Sequence, residues 1–444
     1  MILNDTPDRR ILGLVPATAI VISSMIGTGI FTTTGLMVSM GAQGGDILLG
    51  WLIGGVIALC GALCYAEVGA NFPESGGEYY YLTRLIHPAA GFIAGAISLI
   101  VGFAAPIAAA AMAMHLYMAT IVTAWPVRTM AAGTILVLAL LHAYDLNLGS
   151  QVQTALTAVK LLLLLAFVST ILIGGSGHPP DPAAGNALSM NPNFWTTSAF
   201  AVVLIFVSFA YSGWNAASYI ATEVSEPERT LPRALTLGTG IVVSAYLLVN
   251  LSYLRSVPLA DLSGVEQVGF VVATAVWGPG GGKLASTLIS LTLIAPISAM
   301  LLIGPRVAEA MARDGFLPPI FARLNQRKVP SYAVMLQATL AIAIALTSSF
   351  TALLIYIGFT LNISVALTVI GLIRLRQSGR STHRMCIGYP VPPLIFLVFA
   401  VWITIWSIQS QPVSTLAGLA TIAIGYVAYL FSAKRASNGN ARWD

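Results

Sequence analysis

Two short stretches put glycine, serine and threonine into the middle of apolar runs. SSMIGTGIF covers residues 23–31, and FAYSGWNAAS covers residues 209–218. A helix broken within lipid leaves backbone N–H and C=O groups unpaired, and such a break is tolerated only where other groups satisfy them. A bound substrate or ion can be that partner. Both stretches therefore indicate a binding site near the middle of a membrane.

The two breaks would present opposite charges to a ligand. Freed N–H groups at residues 27–29 would lie at the positive end of a half-helix and suit a carboxylate. Freed carbonyl oxygens near Phe209, Ala210 and Ser212 would suit an ammonium, so the pair predicts a cradle for a zwitterion such as an α-amino acid. The alternative is that these small residues only allow close helix packing. The candidate substrate-binding residues are Met25, Ile26, Gly27, Thr28, Gly29, Phe209, Ala210, Tyr211, Ser212, Gly213 and Trp214.

A lysine lies in a third apolar run, TALTAVKLLLLLAF, at position 160. If that helix begins near Ser150, a rise of ~1.5 Å per residue places Lys160 about 15 Å into a core of about 30 Å. A charged residue at that depth is costly and is expected to be functional. Lys160 could act as a fixed ammonium where other transporters hold Na⁺, or as a titrating amine that couples proton movement to transport. The remaining alternative is a structural lysine tied to carbonyls of neighbouring helices.

The composition places these residues in a membrane protein. The chain has 444 residues, of which 57% are hydrophobic and only 8% charged. A soluble chain has about a quarter charged residues, so this one cannot cover a surface that faces water. The net charge is +5, but the basic residues are not clustered as in a nucleic-acid site. Membrane topology explains their distribution better, and the lipid bilayer is the expected partner.

Twelve segments are apolar enough to cross a membrane, which takes about 20 residues each. The two breaks fall in the first and the sixth, the same place in two groups of five. Paired interruptions of this kind are typical of inverted-repeat transporters. The expected fold is an all-α membrane protein with twelve transmembrane helices, a 5+5 inverted repeat and discontinuous helices 1 and 6. The predicted spans lie near 13–38, 46–70, 88–120, 128–147, 150–174, 196–224, 234–256, 283–312, 331–349, 351–375, 390–410 and 413–433.

The charges orient these spans. If both termini are cytoplasmic, only Arg128, Arg255 and Lys283 fall on the outer side, as the positive-inside rule requires. The first ten residues lack the features of a signal peptide, so the first span is expected to act as its own insertion signal. The expected division is a cytoplasmic segment (1–12), a first five-helix repeat (13–174), a second (196–375), helices 11 and 12 (390–433) and a cytoplasmic tail (434–444), in a cell membrane, with a bacterial inner membrane favoured.

Other chemistries find little support in the sequence. Cys60, Cys64 and Cys386 show neither a disulfide framework nor metal-ligand spacing. There is no HExxH motif and no pair of intramembrane aspartates, so no catalytic residue, metal or cofactor is expected and the chain is not expected to be an enzyme. Broken helices with a central lysine also fit an occluded site better than an open channel.

Several charged residues lie at the predicted inner ends of the second and sixth spans. They could form a cytoplasmic gate, but solvated loop charges and helix caps are the favoured interpretation. The segment PESGGEYYYL, at 73–82, is expected to form a short amphipathic helix inside the cell. The charged residues are Glu67, Glu78, Glu223, Glu226, Glu228, Arg229 and Arg233.

Four blocks, spread over about 300 residues and present in the right order, resemble the amino acid–polyamine–organocation superfamily of transporters with a LeuT-like fold. The chain looks closest to bacterial amino acid permeases and to the light chains of L-type amino acid transporters, which share an AYxGWN pattern. The blocks are SSMIGTGIF, YAEVGANFPESGGEYYYL, FAYSGWNAASYIATEVSEPERTLPRAL and GPRVAEAMARDGFLPPIFARLNQRKVP.

The resemblance implies roles for individual residues. The backbone of Gly27, Thr28 and Gly29 would hold the substrate carboxylate, carbonyls near Phe209 would hold the amine, and the Phe209 ring would gate the site. Lys160 matches a lysine that stands where sodium-driven relatives have their second sodium, with Thr292 as its polar partner. Members that pair with a heavy subunit carry a cysteine after the third span. Residues 120–128 here have none, so no disulfide-linked heavy subunit is expected.

The expected function is a secondary transporter that moves amino acids by alternating access, driven by protons or by exchange and independent of sodium. No carboxylate lies in either break to pair with a second amine, which favours neutral L-amino acids. The alternative is a polyamine or cationic amino acid antiporter. An acidic side chain that faces the pocket from span three, eight or ten would favour this alternative.

Overall fold

The computed structural model describes residues 12–122, 124–144, 146–173 and 189–438. Within these residues, ten helices are long and apolar enough to cross a membrane, and two further apolar helices are shorter, at Thr157–Thr170 and Ser331–Thr347. The predicted all-helical membrane fold is therefore confirmed. The count of twelve crossings and the inverted repeat remain predictions.

The α-helices follow one another with short connections. In chain order they are α1 (Leu14–Met25), α2 (Gly29–Ser39), α3 (Gly44–Asn71), α4 (Glu78–Leu85), α5 (Pro88–Ile97), α6 (Ala105–Ala119), α7 (Val127–Tyr144), α8 (Leu146–Ile173), α9 (Ser198–Tyr211), α10 (Pro227–Ser256), α11 (Leu259–Leu262), α12 (Val268–Thr292), α13 (Ile294–Ile303), α14 (Pro305–Arg313), α15 (Ser331–Thr347), α16 (Phe350–Gln377), α17 (Val391–Ser410) and α18 (Pro412–Asn438). A π-helical turn, Ser98–Ala104, joins α5 to α6.

The first predicted break is present. Helix α1 ends at Met25, Ile26 has a non-helical ψ of 84°, and α2 begins at Gly29. We call the segment Leu14–Ser39 the first broken segment. Its interruption coincides with IGTG, where glycine disfavours a helix interior.

The second predicted break is also present. Helix α9 ends at Tyr211, Ser212 has an extended ψ of 152°, and a 3₁₀ helix, Ala216–Glu223, continues the chain. Gly213 in the gap has φ +97°, a left-handed conformation that L side chains rarely adopt. We call the segment Ser198–Glu223 the second broken segment.

The two broken segments are joined at one end of the bundle. The Leu12 N–H donates to the Glu223 carbonyl at 2.9 Å, and the Ser225 N–H donates to the Leu12 carbonyl at 2.8 Å. These two backbone bonds fix the start of the first broken segment to the end of the second.

Two helices differ from their predicted bounds. The eighth span was placed at 283–312, but α12 already begins at Val268 and continues past Gly278, which has φ +74° inside the helix. Residues 277–282, WGPGGG, fell between the seventh and eighth predicted spans, whereas in the structure they lie at a kink inside α12. Helix α18 reaches Asn438, so the predicted tail begins as helix. Residues 1–11, 123, 145, 174–188 and 439–444 lie outside the described residues.

Candidate functional site

The two breaks lie in direct contact. A methyl group added to Gly29 would lie 2.4 Å from the Ala210 Cβ, and one added to Gly213 would lie 2.7 Å from the Ser24 carbonyl oxygen. Real Cβ atoms do not approach other atoms this closely, so both contacts require glycine. The structure thereby brings together the two stretches that the sequence placed 186 positions apart, from 27 to 213. We call residues 24–29 and 209–214 the cradle.

The N–H groups of the first break are only partly available. Gly27, predicted to offer a free N–H, instead donates to the Met25 carbonyl at 2.8 Å. Gly29 is the first residue of α2, where backbone N–H groups have no partner within the helix. The donors left for a carboxylate are therefore those at the start of α2 rather than that of Gly27.

The carbonyls of the two breaks are partly held by the protein itself. The Tyr246 hydroxyl of α10 lies 2.6 Å from the Met25 carbonyl oxygen and 3.1 Å from that of Ala210. The Phe209 carbonyl accepts the Ser212 N–H at 2.9 Å. Sequence analysis assigned the Phe209 and Ala210 carbonyls to a substrate ammonium, and in this conformation both already have a partner.

A small cavity lies between the breaks. It is lined by cradle residues of both segments, among them Gly27, Thr28, Phe209 and Ser212, and has a volume of about 20 Å³. A volume of 10–15 Å³ by this measure is about what one water needs, so the cradle is closed around at most one water. In this conformation the cradle has no room for an amino acid.

Ser24 provides an unused polar group at this cavity. Its side chain is 4% exposed, and its hydroxyl has no hydrogen-bond partner among the described residues. Buried polar groups are nearly always paired, so this hydroxyl is suited to a ligand. Ser24 lies in SSMIGTGIF, but sequence reasoning did not select it.

Lys160 of α8 lies against the first break. Its side chain is 1% exposed, and its ammonium donates to the Ile26 carbonyl and, at 3.4 Å, to the Ser23 carbonyl. The lysine therefore provides hydrogen-bond donors for backbone carbonyls at the end of α1. Both the fixed-cation role and the structural role require this arrangement.

Thr292 is not bonded to Lys160. Its hydroxyl donates to the Ile289 carbonyl at 2.7 Å, within its own helix. Both residues line the same largely apolar cavity, of about 260 Å³, between α8 and α12. Thr292 is thus near the lysine without the predicted polar contact in this conformation.

A second cavity adjoins the cradle. Its volume is about 80 Å³, and it shares Ser24, Ser212 and Met300 with the cradle cavity. Trp214 forms part of its wall and packs edge-on against Tyr65, with ring centroids 4.8 Å apart. Trp214 therefore both packs against a neighbouring helix and shapes a cavity.

A carboxylate reaches this second cavity from outside the breaks. Glu78, the first residue of α4, is 2% exposed and lines the cavity wall. It accepts hydrogen bonds from Tyr65 at 2.8 Å, from Asn215 at 2.5 Å and from Tyr219. Burial raises the pKa of Glu78 above its ordinary value, against the hydrogen bonds from Tyr65 and Asn215, which lower it.

Comparison of this sequence with known proteins identifies its family. The sequence model of the family described as "Amino acid permease" matches residues 12–436. The chain belongs to this amino acid permease family. It is 28% identical over 435 residues to the mouse large neutral amino acids transporter small subunit 2, covering 95% of this chain and 80% of that one.

Two further relatives are transporters of the same family type. The mouse Asc-type amino acid transporter 1 is 26% identical over 430 residues, covering 94% of this chain and 80% of its own. The human b(0,+)-type amino acid transporter 1 is 27% identical over 415 residues, covering 91% and 84%. The predicted membership of the wider amino acid–polyamine–organocation superfamily is confirmed, and the chain is a multi-pass membrane protein of a family of amino acid transporters.

Three of the charges assigned to solvated loops are buried in this permease. Glu67 holds Arg376 through two hydrogen bonds, one of 2.6 Å and one of 2.5 Å, and Glu223 holds Arg306 at 2.8 Å. Glu78 has the neutral partners described above. By contrast, Glu226 and Arg229 are 74% exposed. The favoured interpretation was therefore wrong for Glu67, Glu78 and Glu223.

Helix α4 is the predicted short amphipathic helix. Tyr79, Tyr81 and Leu82 are fully buried, whereas Arg84 is exposed. The helix packs within the bundle against α5 and α16. This burial brings Glu78 to the cavity, a placement for which the local sequence pattern gave no signal.

Proposed function

We propose that this permease moves amino acids across the membrane by alternating access and that its preferred substrates are neutral L-amino acids. The observation that carries the proposal is the contact between the two breaks at Gly29 and Gly213, which no Cβ-bearing residue would allow. The start of α2 and the unpaired Ser24 hydroxyl would take the substrate carboxylate, with the N–H groups at the helix N-terminus as donors.

The amine would be held on the other side of the cradle. In the second broken segment, α9 ends at Tyr211, and the carbonyl oxygens of its last turn have no partners within the helix. We propose that the Ala210 carbonyl exchanges its Tyr246 contact for the substrate ammonium when the segments separate. Because the present cavity holds at most one water, substrate entry requires this separation.

The orientation and coupling belong to the same proposal. Both termini would be cytoplasmic, in a bacterial inner membrane, and transport would be independent of sodium because the Lys160 ammonium occupies carbonyls of the first break. No disulfide-linked heavy subunit is proposed. All three cysteines of the chain are described, and each is buried.

A second candidate function has one observation in its favour. Glu78 faces the cavity beside the cradle, where sequence analysis found no carboxylate. Such a group could pair with the second amine of a cationic amino acid or a polyamine. This candidate shares the fold and the cradle with the first and differs only in substrate.

Uptake into liposomes tests both. The purified full chain is reconstituted and supplied with twenty amino acids and putrescine, with and without internal substrate and a pH gradient. Saturable uptake of neutral amino acids is expected. Uptake confined to lysine, arginine or putrescine would select the second candidate, and no uptake of any of these compounds would contradict transport itself.

A further inference from the structure

Glu78 is a buried carboxylate, and no described residue provides a positive charge beside it. Its three partners, Tyr65 of α3, Asn215 in the second break and Tyr219 of the following 3₁₀ helix, are all neutral. Tyr81, on the same helix, also lies close enough to interact electrostatically with the Glu78 carboxylate. Burying an ionised carboxylate without a countercharge is costly, and such a group commonly takes up a proton instead.

The basic side chains on the surrounding helices are engaged elsewhere. Among the described residues, Arg306 of α14 pairs with Glu223, and Arg376 of α16 pairs with Glu67. Arg84 of α4 itself lies over the Tyr80 ring, 5.6 Å from its centroid. The structure thus gives Glu78 hydrogen-bond donors from several elements but no cation.

The partners of Glu78 suit both of its protonation states. A tyrosine hydroxyl can donate a hydrogen bond to a carboxylate or accept one from a carboxylic acid. The amide of Asn215 can continue to donate to the other oxygen. The Tyr219 hydroxyl in addition lies 3.1 Å from the Ser98 hydroxyl, so it has a second acceptor when it turns.

The cavity beside Glu78 has room for a proton carrier. At about 80 Å³ it holds a few water molecules, since one needs about 10–15 Å³ by this measure. The cavity shares Ser24 and Ser212 with the cradle, so water in it links Glu78 to the substrate site.

We propose that Glu78 binds the proton that this permease carries together with its amino acid. The inference rests on the proposed function and makes it a proton symport. A proton delivered by water forms an O–H bond on one carboxylate oxygen, and that bond breaks when the proton is released on the other side. No electron is transferred.

Asn215 connects this proton to the movement of the helices. It lies in the second break, and its hydrogen bond to ionised Glu78 is charge-assisted, which makes it stronger than a bond between neutral groups. Protonation of Glu78 weakens this bond and the bond from Tyr219. The strength of the hydrogen bonds between α4 and the second broken segment therefore depends on whether Glu78 carries the proton.

The direct test uses the wild-type chain in liposomes that contain a pH-sensitive dye. An amino acid that the panel has shown to be transported is added outside, with no internal substrate. Internal acidification that depends on the amino acid is expected. Uptake without acidification between pH 5 and pH 8 would overturn the inference while leaving amino acid transport intact. Uptake that occurs only with internal substrate would mean obligate exchange and would also overturn the inference, whereas no uptake under either condition would contradict the proposed function.

Glu78→Gln keeps the shape of the side chain and removes its titration. We expect substrate-driven proton flux to fall at least about tenfold and uptake to lose its pH dependence, while exchange of internal for external substrate persists. Glu78→Asp, which can still titrate, should keep the proton flux. If Glu78→Gln retained the flux but lost lysine uptake, the carboxylate would be a substrate counter-ion and the inference would be wrong.

A pair of tyrosine variants gives a test that does not depend on the folding of Glu78→Gln. Tyr65→Phe removes a donor to the ionised carboxylate, so the pH midpoint of uptake should move to higher pH by about one unit. Tyr253→Phe is the matched control, because the Tyr253 hydroxyl of α10 is buried and has no partner among the described residues. Identical midpoints for the two variants would overturn the inference.

Discussion

The Tyr246 hydroxyl lies 2.6 Å from the carbonyl oxygen of Met25, the last residue of α1. The same hydroxyl is 3.1 Å from the Ala210 carbonyl, one residue before the end of α9. A single side chain of α10 therefore contacts the ends of both half-helices. Tyr246 is fully buried, so these contacts are made without competition from water.

Tyr246→Phe should impair transport more than folding. The change removes the hydroxyl and leaves a buried carbonyl without its partner, which costs about 1–3 kcal/mol. We expect uptake to fall about tenfold or more, with the protein still monodisperse on gel filtration. Tyr253→Phe on the same helix is the control, because the Tyr253 hydroxyl is buried and unpartnered in the described structure. Equal uptake by the two variants would contradict a specific role for Tyr246.

Lys160→Ala should abolish or uncouple transport in a protein that still folds. The substitution removes the ammonium that donates to the Ile26 and Ser23 carbonyls. The first break then loses its fixed positive charge. Uptake and its pH profile should be measured in liposomes beside Lys283→Ala, which removes an exposed lysine of α12. Wild-type kinetics together with a wild-type pH profile in Lys160→Ala would show that this lysine has no functional role.

Gly29→Ala should separate the two breaks. The new methyl group would lie 2.4 Å from the Ala210 Cβ and 2.6 Å from its Cα, so one segment must shift. We expect lost uptake and a lower melting temperature. Gly240→Ala is the matched control on α10, where nothing lies within 4 Å of the added group. It should be neutral or slightly stabilising, by about 0.5–1 kcal/mol, and a Gly29→Ala protein with normal uptake would argue against close contact of the breaks during transport.

Sodium should not stimulate uptake. The Lys160 ammonium already contacts carbonyl oxygens at the end of α1, the kind of ligand that a sodium ion would need. Uptake is measured at constant pH and ionic strength in sodium or in choline buffer, and the two rates should agree within error. If uptake were several-fold faster in sodium buffer than in choline buffer, the lysine would not be a substitute for the sodium ion.

The sequence was informative where the signal is local. Glycines inside an apolar run predicted both breaks, and a lysine inside another apolar run marked the residue that the structure places, 1% exposed, at the first break. Each of these features is visible within a window of a few residues, because lipid penalises polar groups wherever they stand.

The sequence was uninformative where the site depends on packing. Glu78 lies 13 residues after Tyr65 and 137 before Asn215, and only the folded bundle brings the three together. Tyr246 looked like one more aromatic residue in an apolar helix. Glu67 and Glu223 were taken for loop charges because their arginine partners are 309 and 83 positions away, at 376 and 306.

The pair of backbone bonds at Leu12 restricts how this permease can open. If α1 swung outward alone, it would break the Leu12 bonds to both Glu223 and Ser225, whereas a joint displacement of the two broken segments would keep them. We therefore expect the two broken segments to move together on that face, because main-chain bonds join them.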